Sequence, residues 1–188
     1  MDKNFQNFIE YLNKNEIKHE SNPESMLIRF GYNIEVGTIE IVADFEHENR
    51  IGFFSFLNMN VAEARKSEAL KLVNMFNESL NYGSIVISQT NHLVYKIMVS
   101  TFGNMLSEEN WSEIIFRLWS ISRDIYPLFG KLIFSNEDPN ALFDSFLKSK
   151  EKLYNAQNNQ VDSNDPNSAK PSTKPPFWKD NKGWYMQN

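Results

Sequence analysis

Cysteine is absent from the 188 residues. That excludes disulfides, thiol nucleophiles and thiolate metal sites, and it suits a reducing compartment. Long apolar runs are missing as well. The opening MDKNFQNFIEYLNK carries charges at positions 2, 3 and 10 and has no apolar core of signal-peptide length. No window approaches the roughly 18 uninterrupted apolar residues of a membrane span. The expectation is a cytoplasmic protein with no membrane partner. Basic charge is scarce: 19 Lys and Arg stand against 24 Asp and Glu, a net charge of −5. Residues 155–188 hold four Lys and three Asp, which leaves −6 on the first 154 residues. Phosphate backbones are held by clustered Lys and Arg, so an acidic body without a basic stripe argues against a nucleic-acid partner. The seven glycines form no Gly-x-Gly-x-x-Gly and no phosphate loop, and no Gly-x-Ser-x-Gly frames a serine nucleophile. Catalytic residues, cofactor and metal are therefore all expected to be absent.

Aromatic residues are plentiful, at 14% with fifteen Phe, and 41% of the chain is hydrophobic. One domain with a substantial core is expected. Phe5, Phe8, Ile9 and Leu12 fall on one face of a first helix, with Asp2 as its N-cap. Residues 15–24 are a polar connection with room for a short edge strand near Ile17 to His19. Strand patterning follows over 26–32, 38–45 and 50–57. Ile39, Ile41, Ala43 and Phe45 point inward, and the third run is apolar on both faces. A second helix is read over 61–80, with Ala62, Ala69, Val73, Phe76 and Leu80 as its stripe, Leu70 and Leu72 widening it, and Glu68–Lys71 and Glu63–Lys66 as surface pairs. Gly83 is placed at its left-handed end. Strands over 84–88 and 93–101 come next, then a third helix from Ser107 that Pro127 stops or kinks. Tyr126 to Phe134 continues it as an apolar segment. A last helix runs from about Asn140 to Tyr154, capped by Asp138 or Asn136. The fold class is α+β, with an antiparallel sheet of about five strands in the order α-βββ-α-ββ-α, then a C-terminal helix and a tail.

That order, with Leu72-Val73-Asn74-Met75-Phe76-Asn77 in a helix and Tyr82-Gly83-Ser84-Ile85-Val86-Ile87 at its exit, resembles the YbjN-domain family over about residues 1–135. Met105 to Leu128 is similar to that family's closing helix. The usual Asp-Gly hairpin turn is replaced by Gln89-Thr90-Asn91, and residues 136–188 are an addition. The resemblance implies a fold like that of type III secretion chaperones, which are homodimers holding unfolded client stretches along grooves. It thus implies a non-enzymatic protein-binding role, chaperone-like or regulatory, with a protein partner or client and a homodimeric state. The rival expectation is a small-ligand sensor or enzyme with a pocket between sheet and helices.

Several clusters carry less. His19, His47 and His92 are far apart, and alternation along a strand turns His47 away from Glu46 and Glu48. Asp44, Glu46 and Glu48 share one spacing and read as a charged outer face that protects a sheet edge. Asn74, Asn77 and Asn81 share a helix face, and they are expected to tie the helix end to the next strand, with Asn81 foremost.

The candidate binding residues are aromatic. Trp111, Phe116 and Trp119 give the third helix apolar character on more than one side, so it must cover something besides its own sheet, such as the last helix or a second subunit. Residues 1–154 form the folded domain and 155–176 read as a disordered linker by composition. Residues 177–188 form an aromatic terminal peptide with Phe177, Trp178, Trp184 and Tyr185. Such aromatics resemble an anchor for a groove on this body or on a partner.

Overall fold

The computed structural model describes residues 2–35 and 37–158. The first helix, α1 (Lys3–Lys14), starts where the Asp2 carboxylate accepts the Asn4 and Phe5 amides at 2.7 and 3.1 Å. Its buried face is Phe5, Phe8, Tyr11 and Leu12, with Tyr11 where Ile9 was expected. Six strands form one antiparallel sheet: β1 (His19–Asn22), β2 (Leu27–Ile34), β3 (Gly37–His47), β4 (Arg50–Asn60), β5 (Ser84–Ile87) and β6 (His92–Ser100). Their order across the sheet is β1-β2-β3-β4-β6-β5. The sixth strand is the short polar edge β1, a few residues later than the connection suggested.

Between β4 and β5 a single 3-10 turn at Glu63–Arg65 leads into α2 (Lys66–Ser79). Ala69, Leu72, Val73 and Phe76 are buried, whereas Leu70 faces solvent. Glu63 pairs with Lys66 at 3.3 Å as expected, but Glu68 pairs with Arg65 at 3.3 Å instead of Lys71. The Arg65 guanidinium also donates to the Leu132 carbonyl at 2.9 Å, near the C-terminus of the third helix, where a cation suits the helix dipole.

That third helix, α3 (Glu108–Ser135), opens on a Ser107–Asn110 capping box. It runs through Pro127 without ending there. Pro127 and Arg123, whose carbonyl loses its usual amide donor, are both on the exposed side of the helix, where the loss is least costly. Asn136, in the left-handed conformation at φ 55°, ends α3, and the Asp138 carboxylate starts α4 (Pro139–Asn158) by accepting from Asn140 and Ala141. α4 thus extends past Tyr154 to Asn158, four residues into the stretch read as linker. The rest of that stretch and the aromatic peptide 177–188 lie outside the described residues.

Strand alternation puts Ile28, Phe30, Ile39, Ile41, Phe53, Tyr95 and Ile97 against α1, α2 and α3 in one core, with Trp111 among Phe8, Phe45 and Phe53. Each fully buried Phe or Ile contributes roughly 1.5–3 kcal/mol. The opposite sheet face carries Val42, Phe54, Phe56 and Met98 with an Arg29–Glu40 pair at 3.6 Å.

A candidate protein-binding groove along the third helix

The three helix aromatics singled out in the sequence part company. Trp111 is fully buried in the core and its indole N–H donates to Asn7, so it is not a surface residue. Its helical spacing with Ile114, Ile115 and Leu118 already marked that inner face. Phe116 and Trp119 are half-buried and pack together at 6.3 Å, with the Arg123 guanidinium 4.4 Å over the Trp119 ring. Phe177, Trp178, Trp184 and Tyr185 lie outside the described residues.

Phe116 lines a hollow of about 440 Å³ between α3, α4 and the segment Leu80–Tyr82. Tyr82, Tyr95, Phe116, Phe146 and Leu147 supply apolar walls, and Arg117 and Lys150 supply charge. Two smaller hollows adjoin it. One of about 110 Å³ shares Tyr82 and Arg117 and reaches Asn110, and one of about 190 Å³ shares Phe146 and Lys150 and reaches Leu128. Together they make an elongated groove beside α3, from Asn110 to Leu128. At 1.5 Å per residue that stretch is about 27 Å long.

Local folding explains each wall. α2 ends at Leu80, which turns extended, and not at Gly83 as expected. Gly83 has φ +73°, and a Cβ there would lie 2.6 Å from the Lys96 carbonyl and 2.8 Å from the Tyr95 ring, so glycine lets this segment lie against β6. The Tyr95 hydroxyl donates to the Tyr82 carbonyl at 2.8 Å and locks the Tyr82 backbone at the rim. Burial pushes the Tyr95 phenol up to about 12, with Arg117 pulling the other way. Arg117 lies 4.6 Å over the Tyr82 ring and holds Glu113 at 2.6 Å. Lys150 pairs with Asp124 and stands 5.4 Å from the Phe146 ring. Phe143 and Phe146 anchor α4 against Phe76 at 5.3 and 4.9 Å. The groove therefore offers aromatic faces with ion-paired cations at the rim, a surface for anchoring side chains.

Other sequence clusters have local roles. Asn77, and not Asn81, ties α2 to β5: its side-chain amide accepts the Ile85 N–H at 2.7 Å and donates to the Ile85 carbonyl at 2.9 Å. Asp44, Glu46 and Glu48 do not line up, because a bulge between Asp44 and His47 breaks the alternation and Asp44 accepts the Glu46 amide at 2.9 Å. His19 Nδ1 sits 3.0 Å from the Ile17 carbonyl, while His47 and His92 are exposed on other strands. Among the described residues no cluster of three or more His, Asp or Glu is placed to hold a metal ion, and no helix is long and apolar enough to cross a membrane.

No protein-family model and no curated protein matches the sequence. A solved structure does match in shape: the crystal structure of YbjN, a candidate transcription regulator from E. coli, superposes with a TM-score of 0.56. The alignment covers 71% of this chain and 96% of that one at 12% identity. The fold is YbjN-like. At this identity the YbjN likeness is one of architecture, and it agrees with the helix–hairpin resemblance around Leu72 to Ile87. The antiparallel α+β class stands with it, with six strands and four helices among the described residues.

Proposed function

We propose that this protein is a non-enzymatic binding module, chaperone-like or regulatory, that holds a segment of a partner or client protein in the groove beside α3. The observation that carries this reading is the shape of the groove, three adjoining hollows in a row with aromatic walls. An extended peptide rises about 3.3 Å per residue, so about eight residues fill that length. A compact ligand would fill the central hollow alone. The YbjN-like architecture, in a structure described as that of a candidate regulator, is compatible with such a role.

Leu147 is 45% exposed at the groove wall and Phe116 is half-buried beside it. Leu147→Glu or Phe116→Ser in the full chain should leave the melting temperature within a few degrees and reduce partner capture from the native host at least tenfold, read by quantitative mass spectrometry. Retained capture in both variants would refute the groove as the binding face. Stabilisation of the chain by a small metabolite, with no protein captured, would point to the sensor or enzyme reading. A homodimer that buries Phe116 would close the same groove, so sedimentation at several concentrations separates self-association from partner binding.

A further inference from the structure

We propose that the groove's resident occupant is this chain's own segment Phe177–Tyr185, folded back in cis, so that an outside partner binds by displacing it. This rests on the protein-binding reading of the groove. Length is the first support. Nine extended residues span about 30 Å, against about 27 Å of α3 beside the hollows. Chemistry is the second. Phe177 and Trp178 at one end of the segment and Trp184 and Tyr185 at the other are ring systems suited to a groove walled by Tyr82, Phe116, Phe146 and Leu147. Arg117 and Lys150 already stand over rings at the rim, each beside a carboxylate, Glu113 and Asp124, so the segment's Asp180 and its Lys179 and Lys182 all have opposite charges at hand there.

The tether is the third support. α4 is itself a wall of the groove, and the described chain ends at Asn158, about 12 Å of helix beyond Lys150. Residues 159–176 can reach as far as roughly 60 Å, well beyond the return distance. A short tether gives an effective concentration in the millimolar range, so an intrinsically weak contact is kept filled. Competition then sets a threshold: a partner must bind more tightly than the tethered segment to enter.

The four tryptophans, at positions 111, 119, 178 and 184, make the test direct. The full chain is labelled with 5-fluorotryptophan and its four fluorine resonances are assigned by Trp→Phe substitutions. The expected result is that Trp178 and Trp184 resonate away from the free-peptide position and that Leu147→Glu returns them to it. Trp111, buried in the core, should hold its resonance and so report an intact body. As a second readout that leaves the body untouched, Phe177→Ser with Tyr185→Ser should shift the Trp119 resonance, because Trp119 packs on Phe116. Free-peptide positions for both tail tryptophans in the unmodified chain would overturn the proposal. So would displaced signals that ignore Leu147→Glu and Phe116→Ser, or displacement lost on dilution together with a halving of the sedimenting mass, which assigns the contact to a second copy. If the tail is free yet Leu147→Glu still abolishes partner capture, only this inference fails. If neither depends on Leu147, the binding reading fails with it.

Discussion

Two asparagine side chains stand in for missing backbone partners, one on an edge strand and one on the loop between β6 and α3. Asn77 pairs with both the N–H and the C=O of Ile85 on the edge strand β5, and Asn4 donates to the Asn104 carbonyl at 3.0 Å while accepting the Leu106 amide at 2.8 Å. An amide presents one donor and one acceptor in the spacing of a peptide unit, so each plugs groups that water or another chain would otherwise take. Asn77→Ala removes both bonds on a part-buried edge. The expected cost is about 1–3 kcal/mol, read as a lowered urea midpoint, with greater self-association through β5. The helical spacing of Asn74, Asn77 and Asn81 made the tie legible in the sequence. Which residue makes it was not, because that depends on where α2 turns extended at Leu80. Tyrosines give a second test at this scale. Burial raises the Tyr11 and Tyr95 phenols to about 12, above the ordinary 10.0. The folded chain keeps protons that the unfolded chain releases, so this contribution is intact below pH 10 and is lost as pH rises from 10 through 12. Tyrosinate absorbance should show both phenols titrating late, and Tyr95→Phe should flatten the alkaline fall in stability.

At the scale of elements, the α3–α4 corner shapes the groove, since α4 contributes Phe146, Leu147 and Lys150. Asp138 caps α4, and its carboxyl is held below the ordinary 3.8 by the Ala141 amide first and the Asn140 side chain next. A lowered folded value means that the cap stabilises above the ordinary carboxylate range and is lost as pH falls through the folded value. Amide exchange in the first turn of α4 should therefore speed up below about pH 4, beyond the intrinsic pH dependence, and Asp138→Ala should reproduce the effect at neutral pH. The sequence left Asp138 and Asn136 open for this cap; Asp138, directly before Pro139, takes it, and Asn136 ends α3 instead. Of the two readings of Pro127, the stop fails, since α3 runs on to Ser135 and proline is tolerated inside a helix when it lies on the exposed side. That exposure is set by packing and not by local sequence.

For the whole molecule, period-2 alternation along β2, β3 and β6 and the stripe of Phe5, Phe8 and Leu12 were enough to read an antiparallel α+β body, because each pattern is local. The groove was only half legible. Phe116 stood out as surplus apolar surface on α3, and Phe143, Phe146, Leu147 and Lys150 fall at helical spacing on α4. Tyr82 and Tyr95 carried no signal, since they reach the site through the close approach at Gly83. Trp111 shares its spacing with Ile114, Ile115 and Leu118 and lies with them in the core, whereas Phe116 and Trp119 belong to the other apolar side of α3. Gly83→Ala tests that closeness. It puts a methyl against backbone at a left-handed residue, and a loss of about 1–3 kcal/mol with weakened partner binding is expected from thermal melts and titration.

The most direct measurement is site-specific photo-crosslinking in the native host from a benzophenone amino acid at Leu147, with the same probe at Leu70 as control. The two positions are matched in exposure, at 45% and 44%, and only Leu147 lines the groove. The expected result is adducts to polypeptide from Leu147, either a partner segment or residues 177–185 of this chain, well above those from Leu70. Equal labelling at both positions, or no peptide adduct at Leu147, would contradict a protein-binding groove beside α3.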